Sequence, residues 1–278
     1  MDLTQDLTLD LTGAYSNAAF IPDGTKYPDR WAAAAQAFRV AVPGQIGLPY
    51  GPGPRAVYDL FTPEGPKGTV VFVHGGYWRA FDRTMWSHLA AGVMGQGWAM
   101  ALPSYDLCPD LRIGQITTQI ARAVDVIAAR TDGPLVLTGH SAGGHLVARL
   151  ACADVALACR DRVQRVVPIS AISDLAPLMQ TDMNKDLQID LAEAQSESPL
   201  HQPKPLVPVS VWVGGAERPA FLHQSRGLAQ AWDVALHIVP GRHHFDIIDL
   251  LTVNNSDLIA TLLGDQSAFQ KVRSGFLE

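Results

Sequence analysis

The stretch "LVLTGHSAGGHLVARL", residues 135–150, runs from an apolar segment through a glycine-rich turn into a second apolar segment. Its first part, Leu135 to Thr138, is a short continuous apolar run, which is typical of a strand buried on both faces of a parallel sheet. Residues 142–153 carry apolar side chains at helical spacing. The stretch therefore predicts a strand, a tight turn and a helix in direct succession.

The turn contains the pattern G-x-S-x-G, formed by Gly139, Ser141 and Gly143. A sharp strand-to-helix turn leaves no room for side chains beside the serine, so glycines flank it and its hydroxyl stays exposed. The helix directs its positive end at the same point, and Gly144 lets that helix pack close to the sheet. The pattern also arises by chance, but between a strand and a helix it predicts that Ser141 is a nucleophile.

The rest of the chain repeats this alternation of strands and helices. Apolar β-type runs predict strands at 56–61, 69–73, 99–103, 135–138, 165–169, 209–213 and 236–239. Helix-like stretches lie at about 85–96, 115–130, 142–153, 223–233 and 246–263. The alternation indicates an α/β fold, with a mostly parallel, doubly wound sheet of about eight strands and helices on both faces.

Two regions fall outside the alternation. Residues 1–55 begin with repeated Asp-Leu-Thr triplets, which predict a loosely docked terminal arm, and continue into a Pro- and Gly-rich segment that we expect to wrap the sheet. Residues 175–205 are polar and interrupted by prolines, and an insertion at the carboxyl ends of the strands predicts a small cap over a site. No linker divides the chain, so we expect residues 1–278 to form a single domain.

Composition excludes several classes of protein. A net charge of −6, from 21 basic and 27 acidic residues, offers no basic surface for nucleic acid or for a membrane. No window approaches the roughly 18 to 20 unbroken apolar residues of a membrane span, and the acidic N-terminus is unlike a signal peptide. Three cysteines without a Cys-x-x-Cys pair predict free thiols in a reducing compartment. We expect a cytoplasmic protein with a small-molecule substrate, and the sequence leaves a homodimer open.

A nucleophilic serine needs a general base, and the base needs a carboxylate that holds its tautomer. In the α/β-hydrolase arrangement the acid and then the histidine follow the serine, each after a later strand. Glu217 is the first carboxylate beyond the strand "VSVWV", and "GRHHF" supplies His243 and His244 after the last strand. We assign Glu217 as the acid and His244, which directly precedes Phe245 and the final helix, as the base.

Other assignments are open at these positions. In isolation Glu217 would be a solvated loop acid paired with Arg218. Asp246 and Asp249 are the alternative acids, although both follow the histidines too closely for the usual order. The histidine pair with Asp246 also suggests a metal site, but no spacing such as His-Glu-x-x-His occurs, so we expect no metal and no cofactor.

The stretch "VVFVHGGYWRAF", residues 70–81, predicts a buried strand followed by a catalytic loop. One donor to the oxyanion of a tetrahedral intermediate is the N–H of Ala142, and the loop after the third strand supplies the other. Glycines let this loop turn its N–H groups inward. The sequence therefore predicts an oxyanion hole formed by Gly75, Gly76, Tyr77 and Ala142.

The side chains around this loop have predicted roles of their own. Tyr77 and Trp78 are expected to pack the loop and to form a wall that binds the leaving group of the substrate. His140 lies too close to Ser141 in the chain to act as its base, so we expect it to line the pocket. His74 is expected to brace the loop.

Together these motifs resemble one branch of the α/β-hydrolase superfamily. "HGGYW" in place of His-Gly-Gly-Gly, "GHSAGGHL" at the turn and "HHF" near the end are similar to the kynurenine formamidases, as are "LPYGPGPRAVYDLFTP" and "EAQSESPL". The resemblance covers about residues 14–250. It implies hydrolysis of N-formyl-L-kynurenine to formate and L-kynurenine without metal or cofactor, with Ser141, Glu217 and His244 as nucleophile, acid and base. The acid of the superfamily is more often Asp, so Glu217 departs from the common pattern.

The sequence thus predicts a serine hydrolase that cleaves a small formamide or ester through an acyl-enzyme. Relatives with this loop include many esterases, so a carboxylesterase is the alternative function. A non-catalytic binding module on the same fold is a more distant alternative. Such modules usually lose a triad member or an oxyanion glycine, and this chain keeps them all.

Overall fold

The computed structural model describes residues 10–264, and its centre is a sheet of eight strands. The strands are β1 Gln45–Pro49, β2 Val57–Phe61, β3 Thr69–Val73, β4 Ala99–Pro103, β5 Leu135–His140, β6 Val163–Ile169, β7 Ser210–Gly214 and β8 Ala235–Val239. They lie in the order β1-β2-β4-β3-β5-β6-β7-β8. The pairs β1–β2 and β2–β4 are antiparallel, and the remaining pairs are parallel. The mostly parallel sheet that the sequence predicts is confirmed.

The central strands β3 and β5 contain the apolar runs Val70–Val73 and Leu135–Leu137 because both of their faces are covered. In β3, Val70 and Phe72 belong to one apolar core, while Val71 and Val73 belong to the other, as the alternation of side chains along a strand requires. Val73 pairs with Gly139 of β5, so the two strands end together at one edge of the sheet. The loops that follow them therefore begin side by side.

Helices cover both faces of the sheet. The α-helices are α1 Leu11–Ala14, α2 Tyr27–Ala41, α3 Ala90–Gly95, α4 Ile113–Arg130, α5 Ala142–Ala151, α6 Asn184–Leu187, α7 Leu191–Glu197, α8 Pro219–Ala231 and α9 Asp257–Leu263. One apolar core contains residues of α4, α5 and α8, and the other contains residues of α2, α3 and α9. Between Asp10 and Gly264, none of the helices combines the length and the apolar character needed to cross a membrane.

Three elements differ from the sequence predictions. The helix predicted at about 85–96 is two 3₁₀ helices, Arg83–Met85 and Ser87–Leu89, followed by α3. β1 is an additional edge strand, and its half-exposed sequence with Gly47 and Pro49 carries no strand signal. The final helix predicted over 246–263 is instead a 3₁₀ helix, Ile247–Thr252, followed by α9. A new helix begins there because Ser256 is an N-cap that accepts a hydrogen bond from the N–H of Ile259 at 3.2 Å.

The N-terminal segment and the insertion before β7 meet above the ends of the central strands. We call residues 10–20 the arm and residues 175–205 the cap. The N–H of Asp182 in the cap donates to Thr12 Oγ1 in the arm at 3.0 Å. Arg218 also holds the arm, because it donates to the Gly13 carbonyl oxygen at 3.2 Å and lies 3.7 Å above the ring of Phe20. Most of the Asp-Leu-Thr triplets lie outside the described residues.

The stretch "EAQSESPL" anchors the cap to the rest of the protein. Glu197 Oε2 accepts hydrogen bonds from Thr117 Oγ1 at 2.8 Å and from Arg149 Nε at 3.3 Å. The next residue, Ser198, accepts a hydrogen bond from the N–H of Leu175 at 2.9 Å. Arg149 also pairs with Asp154 at 2.7 Å, so it is loss of Arg149 that would leave the buried Glu197 carboxylate without a counter-charge. This stretch, which is one of those that resemble the kynurenine formamidases, therefore has the structural role of holding the cap in place.

Candidate active site

Ser141 lies at the tip of the turn between β5 and α5. Its φ of 56° and ψ of −118° are rare for a non-glycine residue, and such strain costs on the order of 1–3 kcal/mol. A Cβ on Gly139 would lie 2.4 Å from the carbonyl oxygen of Gly143, and a Cβ on Gly143 would lie 2.0 Å from that of Val73. Glycine is therefore required on both sides of the serine, as the G-x-S-x-G pattern indicates.

The structure brings together Glu217 and His244, which follow the neighbouring strands β7 and β8. Glu217 Oε2 lies 2.6 Å from His244 Nδ1, and the two side chains are 0% and 3% exposed. A carboxylate can only accept a hydrogen bond, so Nδ1 of the neutral imidazole carries the proton and Nε2 remains an acceptor. His244 and Ser141 line the same cavity.

A second serine, Ser170, holds the other oxygen of Glu217. Ser170 Oγ donates to Glu217 Oε1 at 2.5 Å, and the N–H of Gly214 donates to the same oxygen at 2.8 Å. Ser170 follows β6 with a φ of 50°, which is uncommon for a non-glycine residue. No motif marks this serine in the sequence. The one available signal is its place at the carboxyl end of a strand, the edge where sites of this fold lie.

His243 is engaged elsewhere and does not line the cavity. Its Nδ1 accepts a hydrogen bond from the N–H of Phe245 at 3.1 Å, so Nε2 carries the proton and donates to the Tyr27 hydroxyl at 3.1 Å. Asp246 Oδ1 accepts a hydrogen bond from the backbone N–H of His243 at 2.7 Å. These contacts stabilise the turn after β8.

The alternative acids do not reach His244. Within residues 10–264, no hydrogen bond joins Asp246 or Asp249 to that ring. Burial, with a smaller contribution from Asp246, raises the pKa of Asp249 to about 6. In the same part of the chain, no three His, Cys, Asp or Glu side chains lie close enough together to hold a metal ion.

The loop after β3 lies against the turn that carries Ser141. A Cβ on Gly75 would lie 2.8 Å from the His140 carbonyl oxygen and 3.0 Å from Ser141 Cβ. Among the described residues, the N–H groups of Gly75, Gly76 and Tyr77 donate to no protein acceptor. Ala142 begins α5, where the first N–H groups have no partner within the helix. Free donors beside a strained serine are what an oxyanion hole requires.

His74 braces this loop from beneath. Its ring stacks on Tyr105, with centroids 4.3 Å apart, and the Tyr105 hydroxyl donates to the His74 carbonyl oxygen at 2.9 Å. Burial lowers the pKa of His74 to about 4, so the ring is neutral near pH 7. Its Nδ1 then donates to the Gly75 carbonyl oxygen at 2.8 Å.

His140 and Tyr77 both line the cavity. The ring of His140 lies 4.6 Å from that of His244, and burial, with a smaller contribution from His244, holds its pKa well below the ordinary value. Tyr77 donates its hydroxyl hydrogen to the Tyr15 carbonyl oxygen at 2.5 Å, and burial raises its pKa. Tyr77 therefore ties the loop to the arm while facing the cavity.

Trp78 does not line the cavity, and the prediction that it forms the wall is wrong. Its indole is 0% exposed and packs edge-on against His145, with ring centroids 5.0 Å apart. Tyr77 and Trp78 have φ values of 51° and 54°, so the chain turns and the second ring enters the core. The N–H of Cys108 also donates to the Trp78 carbonyl oxygen at 2.8 Å. Trp78 fixes the loop to the protein interior.

The cavity above Ser141 has a volume of about 390 Å³, which is within the range of small-molecule sites. Its aromatic wall comes from separate segments of the chain: Trp31, Phe81, Trp86 and Phe245. Trp31 lies 4.9 Å from Trp86 and 5.3 Å from Phe245 between ring centroids. Residues of the arm and the cap close the other side. The cavity therefore suits a ligand with an aromatic ring.

No family model matches the chain, but curated relatives share one name. Kynurenine formamidase from Drosophila melanogaster is 30% identical over 234 residues, which cover 76% of this chain and 78% of that protein. Kynurenine formamidase from Salmo salar is 27% identical over 240 residues, which cover 78% of this chain and 80% of that protein.

Solved structures show the same architecture. A candidate thioesterase from Silicibacter sp. is 49% identical with a TM-score of 0.89, and the match covers 91% of this chain and 99% of that one. Esterase B from Lactobacillus rhamnosis shares the fold at 20% identity, with a TM-score of 0.67 over 91% of this chain and 98% of that one. The chain therefore belongs to the α/β-hydrolase superfamily, as a serine hydrolase of the kynurenine formamidase family.

Proposed function

We propose that the enzyme hydrolyses N-formyl-L-kynurenine to L-kynurenine and formate, with Ser141 as the nucleophile. The observation that carries the proposal is the set of relatives named kynurenine formamidase, the first of which aligns with 76% of the chain. The aromatic cavity above Ser141 supports the same substrate, because the formamide nitrogen of formylkynurenine is attached to a benzene ring.

The first half of the proposed reaction forms an acyl-enzyme. Ser141 Oγ attacks the formyl carbon while His244 Nε2 accepts the hydroxyl proton, and Glu217 stabilises the resulting imidazolium without becoming protonated. The carboxylate is well prepared for this role, because Ser170 and Gly214 both donate to its second oxygen. These two hydrogen bonds hold it in the correct orientation while the histidine changes charge.

The oxyanion of the tetrahedral intermediate would be stabilised by the N–H of Ala142 together with the free N–H groups of the loop that contains Gly75, Gly76 and Tyr77. One donor of this kind typically contributes about 2.7 to 4 kcal/mol to transition-state stabilisation. The carbon–nitrogen bond then breaks, and His244 donates its proton to the departing aryl amine. L-kynurenine leaves, and Ser141 carries a formyl ester.

The second half of the reaction hydrolyses that ester. A water molecule attacks the formyl carbon while His244 accepts one of its protons, and the same donors stabilise the second oxyanion. The bond to Ser141 Oγ breaks, the serine regains its proton from His244, and formate is released. These reaction steps use only groups of the chain and water.

The cytoplasmic location and the homodimer remain predictions.

Hydrolysis of a small ester or thioester is the second candidate function. The observation that favours it is the 49% identity to the candidate thioesterase of Silicibacter sp.. The same serine, histidine and oxyanion donors would act on either substrate, and only the leaving group would differ.

Turnover of two substrates separates these functions. Initial rates of the purified enzyme are measured with N-formyl-L-kynurenine and with p-nitrophenyl acetate, and Ser141→Ala is the control for background hydrolysis. We expect kcat/KM for the formamide to exceed that for the activated ester. An enzyme that cleaves the ester and leaves the formamide intact would establish the esterase alternative.

A further inference from the structure

Two charged side chains stand at the rim of the aromatic cavity. Within the part of the chain described, Arg79 and Asp182 are the only Lys, Arg, Asp or Glu residues that line the cavity. Arg79 belongs to the loop after β3, and its side chain is 39% exposed. Asp182 belongs to the cap, and its side chain is 71% exposed. The buried aromatic residues thus lie inside, and a cation and an anion lie at the solvent side.

Neither charge is saturated by its protein partner. Arg79 Nη1 lies 2.5 Å from Asp186 Oδ2, and no other hydrogen bond of its guanidinium occurs between residues 10 and 264. A guanidinium has five N–H donors, so one edge is free to bind a carboxylate. Asp182 Oδ1 lies 2.9 Å from Lys185 Nζ, which leaves its second oxygen available. Exposed ion pairs of this kind are weak, so a ligand can replace them at low cost.

A third polar residue that lines the cavity has a side-chain atom without a hydrogen-bond partner. Asn17, in the arm, lines the cavity and is 7% exposed, and its buried Oδ1 accepts no hydrogen bond from any described residue. A buried carbonyl oxygen without a donor is unfavourable. A polar ligand in the cavity would provide the missing partner. Asn17, Arg79 and Asp182 come from the arm, the catalytic loop and the cap, and all three line the cavity.

We infer that these three residues form a subsite for the zwitterionic amino-acid group of the substrate. Arg79 binds the α-carboxylate, Asp182 binds the α-ammonium group, and the Asn17 carboxamide completes the hydrogen bonding. The inference rests on the proposed function. When the formamide lies at Ser141 and its ring lies against the aromatic wall, the amino-acid side chain extends toward the rim. The subsite makes the enzyme selective for aryl formamides that carry an amino-acid group.

The test compares two substrates that differ only in this group. N-formyl-L-kynurenine carries the zwitterion, whereas 2-formamidoacetophenone has the same ring, ketone and formamide without it. For Arg79→Gln we expect kcat/KM to fall about 30-fold with formylkynurenine, mainly through KM, because a charge-assisted hydrogen bond is lost. With the acetophenone the fall should be less than about threefold, since that substrate makes no such bond. Asp186→Asn, which alters a partner of Arg79 outside the cavity, should change neither value appreciably.

Inhibition of the wild-type enzyme by the product and by a product analogue tests the same subsite without a variant. L-Kynurenine should inhibit the wild-type enzyme at a concentration at least about tenfold lower than 2-aminoacetophenone, which lacks the amino-acid group. Equal inhibition by the two compounds, or an equal effect of Arg79→Gln on both substrates, would overturn the subsite while leaving the proposed function intact. An enzyme that cleaves neither formamide but cleaves p-nitrophenyl acetate would overturn the proposed function and the subsite with it.

Discussion

Replacing Glu217 by glutamine should abolish most of the activity without unfolding the enzyme. The side chains are nearly identical in shape, but one acceptor oxygen becomes an NH₂ donor. Gly214 N–H donates to Oε1 and cannot reverse its role, so the amide oxygen of glutamine must stay at that position. The NH₂ group then faces His244 Nδ1, the atom that lies 2.6 Å from Oε2 in the native enzyme.

This exchange forces His244 into the wrong tautomer. Nδ1 must accept a hydrogen bond from the amide, so Nε2 carries the proton and cannot take one from Ser141. In serine hydrolases this change lowers kcat by about 10⁴-fold, which corresponds to about 5.5 kcal/mol of transition-state stabilisation. Ser170 gives no rescue, because its hydroxyl contacts only the other oxygen of the carboxylate.

The assay is kcat with N-formyl-L-kynurenine and with p-nitrophenyl acetate, and circular dichroism verifies the fold. Asp249→Asn is the matched control, because it makes the same chemical change at an alternative acid that does not contact His244. We expect that control to stay within about threefold of the wild type, as is usual for positions outside the hydrogen-bonded triad. If Glu217→Gln keeps more than a tenth of the wild-type kcat, or Asp249→Asn loses as much as Glu217→Gln, the assignment of the acid is refuted.

Two further predictions concern histidine side chains. The first distinguishes the two candidates for the base, and the second concerns buried and half-buried histidines outside the triad. His244→Ala should lose nearly all hydrolytic activity, whereas His243→Ala should keep most of it. The His243→Ala variant should also lose about 1 kcal/mol of stability, because its hydrogen bond to Tyr27 is removed. The reverse order of activities would identify His243 as the base. Burial lowers the pKa of five other histidines, so the stability that depends on their neutral rings is fully present above pH 6.5 and is lost as the pH falls below that value: His74, His88, His140, His145 and His237. Urea unfolding at pH 5.5 should therefore give a lower free energy than at pH 7.5, by about 1.4 kcal/mol for each of these rings that stays neutral, while Asp249 opposes this loss by about 1 kcal/mol as its carboxylate gains a proton. Equal free energies at pH 5.5 and 7.5 would contradict the neutral state of these rings.

Much of the fold is predictable because local sequence and tertiary structure agree. Continuous apolar runs such as Thr69–Val73 and Ala99–Pro103 are strands in the structure with the predicted bounds. Their burial on both faces makes hydrophobicity a sufficient signal. The edge strand Gln45–Pro49 escapes prediction for the opposite reason, since an exposed edge needs no apolar pattern. Ser256 breaks the predicted final helix, and an N-cap inside a helical pattern is easily overlooked.

The residues of the site also fall into two groups, those that the sequence predicts and those that it does not. Ser141, Glu217 and His244 follow strand ends, so their positions in the chain are enough to place them near one another. Trp78 is a different case, because whether a side chain beside a glycine pair faces the cavity or the core depends on backbone angles. The aromatic residues that do form the wall, such as Trp31 in α2, come from distant segments and carry no motif.

The central claim is that Ser141 cleaves the formamide of N-formyl-L-kynurenine, and release of formate tests it most directly. Formate and L-kynurenine are quantified over time for the wild-type enzyme and for Ser141→Ala at equal concentration. We predict equimolar release of both products by the wild type and a loss of at least about 10³-fold in the variant, because binding and the oxyanion donors alone supply only a small part of the full rate enhancement. Absence of turnover by the wild type, or an undiminished rate in Ser141→Ala, would contradict the claim.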